Sequence, residues 1–502
     1  MKKIIIAVIV LLLISLPYVY AATSAGDGVV FGGFLLNPKD GNSYLGKMYQ
    51  GFEGSWLFRL PFNPEAGNPQ PLFTFYLFLG HLARILQIPL IWVFHLARLG
   101  AAGFLLWMLG KLSATLFPGS SKKADSFFFL AALGSGMGWL LFVFGVTTSD
   151  LWVAEAYPFL SMYVNPHFPL GLGLMIWMLL LSGSGFEWKR FLSAAAIGVA
   201  LSVVLPFGIV LVGLVLGIAW LWKMKRELGF SVPWDVLAVI PGGVWAAVQY
   251  LVTIRDPMLK IWNQQNITPA PVIWDWIISF SPALIMLFVA LNRAKEPGES
   301  DLWNQMLIWA AAATIFQVVP FSLQRRFLTG FYLPLAAYAI RAVFLLKPKP
   351  RKWLLPAIFF LSIPTNIVVL FFGCYATEIQ AEDLFIGAGE NQAYEWVRQN
   401  TAEDAVILSG ARAGGRIPGQ SGRRVVYGHE FETVHAAEKL EGVERYFLDP
   451  FSPENQEWAA QNGVDYVWVG WPERQMMPGQ PNELGCEVFS NPDVTIYQLI
   501  RP

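Results

Sequence analysis

Between residues 71 and 373 the chain returns again and again to long apolar stretches. They lie at 71–87, 89–110, 125–146, 158–182, 191–222, 236–252, 272–291, 303–320, 329–346 and 353–373. A bilayer core takes about 20 such residues as one helix, and in lipid only helices and closed barrels satisfy their own backbone groups. The pattern predicts a polytopic α-helical membrane protein. Composition agrees: of 502 residues, 55% are hydrophobic and 14% charged, against roughly 25% charged in soluble domains. A disordered chain, a basic nucleic-acid binder and an ordinary cytosolic enzyme are excluded on that ground. The 191–222 stretch has Pro206 near its middle, which suits a hairpin of two short spans or one long tilted helix.

Residues 4–20 are apolar and follow Lys2 and Lys3. Val19 and Ala21 fit signal-peptide cleavage, while the many later spans favour an uncleaved first helix. Both alternatives put the next segment outside the cytoplasm. Basic clusters at Lys2–Lys3, Lys122–Lys123, Lys189–Arg190, Lys223–Arg226, Arg293–Lys295 and Lys347–Lys352 mark the inner side. The loops 21–70, 147–167 and 253–271 then lie outside, with everything after 373. Parity requires that one segment within 71–110 not cross fully, or that Lys122 and Lys123 face outward. The expectation is about 11–13 spans in a plasma membrane, N-terminus inside and C-terminus outside.

The formal net charge of zero hides a split. Residues 374–502 hold 20 acidic and 9 basic side chains, leaving 15 acidic and 26 basic before them. This tail also changes pattern. AYEWVRQN, HAAEKLEGVERYF and ENQEWAAQNG read as helices; AVILSG, RRVVYG, DYVWVG and VTIYQLI read as strands. Alternation of this kind predicts a small α/β domain with a mostly parallel sheet. The expected division is a transmembrane domain at 1–373, with its external loop 21–70, and a soluble extracytoplasmic α/β domain at 374–502. SGARAGGR lacks a phosphate-loop lysine and reads as a turn. Cys374 and Cys486 make neither a disulfide framework nor a zinc site.

The first external loop is the most informative segment. Asp40 comes about 20 residues after the first span, and Tyr44, Met48 and Trp56 follow it at spacings that suggest an amphipathic helix on the bilayer surface. A carboxylate at that boundary serves as a general base toward a hydroxyl, or it caps the helix after it. Glu155 and His167, in the external stretch 147–167, are candidate substrate ligands because ionisable groups beside a membrane are costly to place there. Asp150 with Glu155 is too small a set for a metal. Asn266-Ile267-Thr268 matches a glycosylation acceptor by pattern alone. Gly428-His429-Glu430-Phe431-Glu432 looks like a metal cluster but lacks HExxH, and reads as surface or as a contact with the membrane domain.

A first span, an external Asp-x-x-x-Tyr (Asp40, Tyr44), a Gly-x-Trp segment (Gly54, Trp56) and a Pro-led aromatic span from Pro71 together resemble the GT-C superfamily. These integral-membrane glycosyltransferases use polyprenyl-phosphate sugars, and the likeness is to the protein-mannosyltransferase and aminoarabinose-transferase branch. The resemblance implies that Asp40 is the catalytic base or sits beside it, and that Tyr44 is a substrate ligand. The family often has a second acidic residue directly after this Asp, where this chain has Gly41. A second likeness lies at Gln324-Arg325-Arg326-Phe327 before Gly330 and Tyr332-Leu333-Pro334. It implies that Arg325 and Arg326 meet the donor phosphate, a role suited to bidentate guanidinium groups. Two arginines snorkelling to headgroups is the plainer alternative.

The expected activity is therefore transfer of a sugar from a polyprenyl-phosphate donor to a glycan, lipid or protein acceptor on the outer face, with inversion. The partners are membrane lipid, donor and acceptor, and no nucleic acid. No resident cofactor is called for, and metal dependence stays open. The rival is a transporter, or a scaffold presenting the acidic tail; the chain has neither the repeated halves nor the mid-span charges typical of transporters.

Overall fold

A computed structural model describes residues 1–183, 185–227, 231–292, 300–477 and 484–499. The Arg293–Lys295 cluster and the end of the last expected strand, Ile500, lie outside the described residues. The chain is a polytopic helical membrane protein with a small C-terminal α/β sheet. Six helices among the described residues are long and apolar enough to cross a membrane: Lys2–Thr23, Leu90–Leu116, Pro206–Arg226, Trp234–Arg255, Gln324–Leu345 and Pro348–Glu378. Ile273–Phe280 and Ala283–Leu291, bent by 83°, make a seventh if they act as one span.

Other apolar stretches fold as shorter helices, for local reasons. The 191–222 stretch breaks at Leu205, where Pro206 opens a second helix without needing an amide partner, giving Trp188–Val204 and Pro206–Glu227. In the 125–146 stretch the helix ends at Leu133, Gly134 is extended, and only the short helix Trp139–Phe142 follows. A Cβ on Gly136 would sit 1.9 Å from the Ser279 carbonyl oxygen, so two backbones touch there and the chain runs extended.

The chain packs as two compact units. The first comprises Met1–Pro17, His95–Val248 and Thr268–Tyr375. Of its candidate spans, Gln324–Leu345 is the most buried, and within it Tyr338 donates to the Trp303 carbonyl at 2.9 Å. Arg98 is buried but satisfied, its Nη1 donating to the carbonyls of Ile14, Met162 and Tyr163 at 3.1–3.2 Å.

The second unit comprises Tyr18–Phe94, Gln249–Ile267 and Ala376–Pro502. It contains all seven strands found among the described residues. β1 (Val29–Phe31) pairs antiparallel with β2 (Phe385–Gly387). The others are β3 (Val406–Leu408), β4 (Arg424–Val425), β5 (Tyr466–Val469), β6 (Cys486–Ser490) and β7 (Thr495–Gln498), in the order β4-β3-β5-β7-β6. β4, β3 and β5 are parallel, as expected; β5, β7 and β6 are antiparallel, so the sheet is mixed rather than mostly parallel. The cause is a tight return before β7, where the Asn491 side chain accepts from the amides of Asp493 and Val494 at 3.0 and 2.8 Å. Side chains alternate across the sheet. Val406, Leu408, Val467 and Val469 pack on Tyr446 and Phe447, while Ile407, Trp468 and Ile496 pack on Tyr394 and Val397. SGARAGGR folds as a short helix, Ala411–Gly414, rather than a turn.

The loop 21–70 and the segment after 373, well separated in sequence, share these cores. Phe62 joins the Ile407 face, and Phe58, Leu60 and Leu72 pack with Leu77, Leu259 and Val434.

Candidate functional site

The helix Pro38–Phe52 carries Asp40 in its first turn. Pro38 opens the helix at a position where no amide partner is needed, and the cap position belongs to Asn37, not Asp40. A carboxylate one turn in also meets the positive end of the helix dipole. The helix does not lie on a surface, as the spacing of Tyr44, Met48 and Trp56 suggested. Met48 is fully buried, and Trp56 lies beyond the helix, stacked on His81 at 3.9 Å. Small residues make this possible. A Cβ on Gly51 would sit 2.0 Å from the Leu77 carbonyl oxygen, and one on Gly80 would sit 1.9 Å from that of Met48, so the helix crosses Thr74–Leu86 backbone to backbone. Tyr44, one turn past Asp40, stacks on Tyr76 at 4.5 Å. Gly41 has a physical reason too: a Cβ there would lie 2.4 Å from the Phe34 ring. No second carboxylate fits beside Asp40.

The segment Gly428–Val434 of the same unit lines this helix with charge. Lys39 pairs with Glu430 at 3.2 Å, and His429 Nε2 lies 3.5 Å from Asp40 Oδ1. Glu432 accepts from Lys47 Nζ at 2.7 Å, from Ser43 Oγ at 2.9 Å and from Trp262 Nε1 at 3.3 Å. Lys47 is 1% exposed and stands 4.4 Å over the Phe73 ring. Burial alone would raise the Glu432 carboxyl, but the Lys47 charge and the hydrogen bonds from Lys47 and Ser43 outweigh it and hold the carboxyl below its ordinary value. At the other end of the helix, burial pushes Glu53 up to about 7, against the pull of Arg423 at 2.9 Å.

In the first unit, Glu155 and the two arginines come together. Arg325 Nε and Arg326 Nη1 lie 3.4 and 3.5 Å from the same oxygen, Glu155 Oε1. Glu155 is 4% exposed; the arginines are 20% and 30% exposed. The Arg325 guanidinium also stands 4.7 Å over the Trp152 ring. The backbone fixes this meeting: Gly330 N donates to the Glu155 carbonyl at 2.8 Å, and Arg325 N to the Thr268 carbonyl at 3.1 Å. Gly330 adopts φ +66, and a Cβ there would strike Leu172 and Trp309. His167 has a different setting, as first residue of the helix His167–Leu181 with its ring 4.1 Å from Phe168.

Sequence spacing missed two features. Asp150, weighed only as a metal ligand, is a structural node that accepts from Thr148, Gly138 N, Thr365 and Ser279 at 2.7–3.2 Å. Its burial still holds the carboxyl above the ordinary range. The other is His429, whose neighbourhood in sequence gave no hint of Asp40. Among the described residues no three His, Cys, Asp or Glu side chains converge to hold a metal ion.

No family model matches the sequence, and no curated protein does. Solved structures do match the fold. An oligosaccharyltransferase of Archaeoglobus fulgidus, tethered with an acceptor peptide containing an NVT sequon, aligns with TM-score 0.55 and 14% identity over 93% of this chain and 69% of that one. ArnT from Cupriavidus metallidurans, bound to undecaprenyl phosphate, aligns with TM-score 0.51 and 12% identity over 97% of both chains. The arabinofuranosyltransferase AftD from Mycobacteria aligns with TM-score 0.52 and 15% identity over all of this chain and 40% of its own. The chain thus shares the fold of membrane glycosyltransferases of the GT-C class.

Proposed function

We propose that the chain is a membrane glycosyltransferase that moves a sugar from a polyprenyl-phosphate donor to an acceptor hydroxyl on the outer face of the plasma membrane. The observation that carries the reading is the arginine pair. Two guanidiniums converge on one carboxylate oxygen, a cluster with more cation than anion and with bidentate donors suited to a phosphate. Further support is the fold shared with a polyprenyl-phosphate-bound enzyme over nearly the whole of both chains.

In this reading the acceptor hydroxyl gives its proton to Asp40. Its oxygen attacks the anomeric carbon, the bond from that carbon to the phosphate oxygen breaks, and the electron pair leaves on the lipid phosphate with inversion. Arg325 and Arg326 stabilise the charge that develops there. Glu155 holds both arginines in place, and Tyr44 and His167 are assigned to substrate contact.

The test is incubation of membranes carrying the full chain with polyprenyl-phosphate mannose, arabinose and aminoarabinose, following transfer and donor hydrolysis. Asp40→Asn should lower turnover roughly 10²–10⁴-fold with donor binding largely kept. Arg325→Ala or Arg326→Ala should weaken donor binding as well, and lysine should rescue only partly, because it keeps the charge and loses the planar fork. Full activity of Asp40→Asn would remove the base from the scheme.

A further inference from the structure

We propose that His429 is a positioning residue for Asp40: its Nε2–H holds one oxygen of the carboxylate, leaving the other to take the proton of the acceptor. This rests on the reading of Asp40 as the base.

The ring's protonation follows from its neighbours. Phe431 N–H donates to His429 Nδ1 at 3.1 Å, so Nδ1 is an acceptor. The neutral ring then carries its proton on Nε2. That nitrogen is buried, with no hydrogen-bond partner among the described residues, and it lies 3.5 Å from Asp40 Oδ1. The gap is a few tenths of an ångström beyond a good hydrogen bond. Catalytic hydrogen bonds are often long before substrate arrives and tighten in the complex.

The ring cannot easily turn away. It is 4% exposed, with Phe62 at 5.7 Å and Phe431 at 6.1 Å between ring centres. Its backbone is pinned on both sides: Gly428 N and His429 N each donate to Thr433 Oγ1 at 3.3 Å. The flanking Glu430 and Glu432 are tied to Lys39 and to Lys47. A rigid donor aimed at a half-exposed carboxylate is the arrangement that selects one rotamer of that carboxylate.

Two substitutions separate the two ring nitrogens. His429→Asn keeps an acceptor near Nδ1 for the Phe431 amide and removes the donor facing Asp40. His429→Gln places an amide N–H near the Nε2 position and gives up the Nδ1 acceptor. Both are assayed in membranes with whichever of the three polyprenyl-phosphate sugars the parent chain turns over. His429→Asn should lower kcat roughly 10–100-fold with donor KM unchanged, and His429→Gln should recover most of that loss. On an Asp40→Asn background, His429→Asn should cost nothing more. Parental kcat in His429→Asn, with Asp40→Asn impaired, overturns this inference and leaves the base intact. Equal impairment of both His429 variants with a lowered Tm also overturns it, since the ring would then matter only for the loop. A silent Asp40→Asn overturns the base reading itself, and this one with it.

Discussion

Replacing Lys47 with methionine tests the charge packing of the second unit most directly. The ammonium is 1% exposed, 2.7 Å from Glu432, and lies over the Phe73 ring. Methionine fills much of the stem's volume and removes the charge together with its hydrogen bonds to Glu432 and Ser43. Glu432 would then remain buried with Ser43 Oγ and Trp262 Nε1 as donors. Breaking a buried pair from one side costs about 3–5 kcal/mol, or roughly 6–20 °C in Tm at 2–4 °C per kcal/mol.

The pH dependence makes the test sharper. In the parent, Glu432 lies below its ordinary value, so its stabilisation is complete above the unfolded value, about 4.5, and is lost as pH falls through the lower folded one. In Lys47→Met the largest opponent of burial is gone and the folded value moves above the unfolded one. The loss then grows as pH rises from about 4.5. Intrinsic tryptophan fluorescence of the full chain in detergent should show the large Tm deficit at pH 8 and a much smaller one at pH 4. Lys47→Met with Glu432→Gln removes both charges while leaving an acceptor for Ser43 and Trp262, and should recover most of the deficit. A single variant at parental Tm at pH 8, or a double variant no better than the single, would refute the argument.

Other outcomes follow from local geometry. Lys439 is pushed down to about 8 by burial, against the pull of Glu65 and Glu438. The penalty for its charge is complete below that value and fades as pH rises toward 10.5, so Lys439→Gln should gain roughly 1–3 kcal/mol at pH 7 and flatten the rise in stability between pH 8 and 10.5. Gly80→Ala puts a methyl 1.9 Å from the Met48 carbonyl and should lower Tm markedly, whereas Gly100→Ala, with nothing within 4 Å, should be neutral or slightly stabilising. Cys486 is free and exposed, so an impermeant maleimide should label the chain in intact cells and fail on Cys486→Ser; labelling only after lysis would place the C-terminal sheet inside.

Where the sequence could be read, one local pattern carried the information. Continuous apolar runs spoke for membrane helices because lipid leaves the backbone no other choice. In the tail, Val406–Leu408 and Tyr466–Val469 stood out as short β-branched or aromatic runs between polar turns, and both are strands. Cys486–Ser490 follows a stretch rich in Pro, Gly and Asn and carries little apolar alternation, so nothing local marked it as an edge strand. The helix Pro38–Phe52 misled for a related reason. Its periodicity showed one apolar face and suggested lipid. Its small residues Gly41, Gly46 and Gly51 let protein close in instead, and a hydropathy pattern does not distinguish lipid from a neighbouring helix.

The candidate site shows where such reading ends. Asp40, Glu155, Arg325 and Arg326 could each be singled out by type and setting, but no spacing says that Glu155 meets both arginines or that His429 meets Asp40. Gly41 binds these points together. At the position where the resembling family often carries a second carboxylate, the Phe34 ring fills the space a side chain would need. The neighbour of Asp40 is instead an imidazole brought from the far end of the chain. Two adjacent carboxylates repel and tend to hold a proton between them. In the proposed scheme the imidazole N–H holds one oxygen of the Asp40 carboxylate and leaves the other to face the acceptor. The substitution that looks like a loss in the sequence is thus matched, in the fold, by a donor of the opposite electrostatic sense.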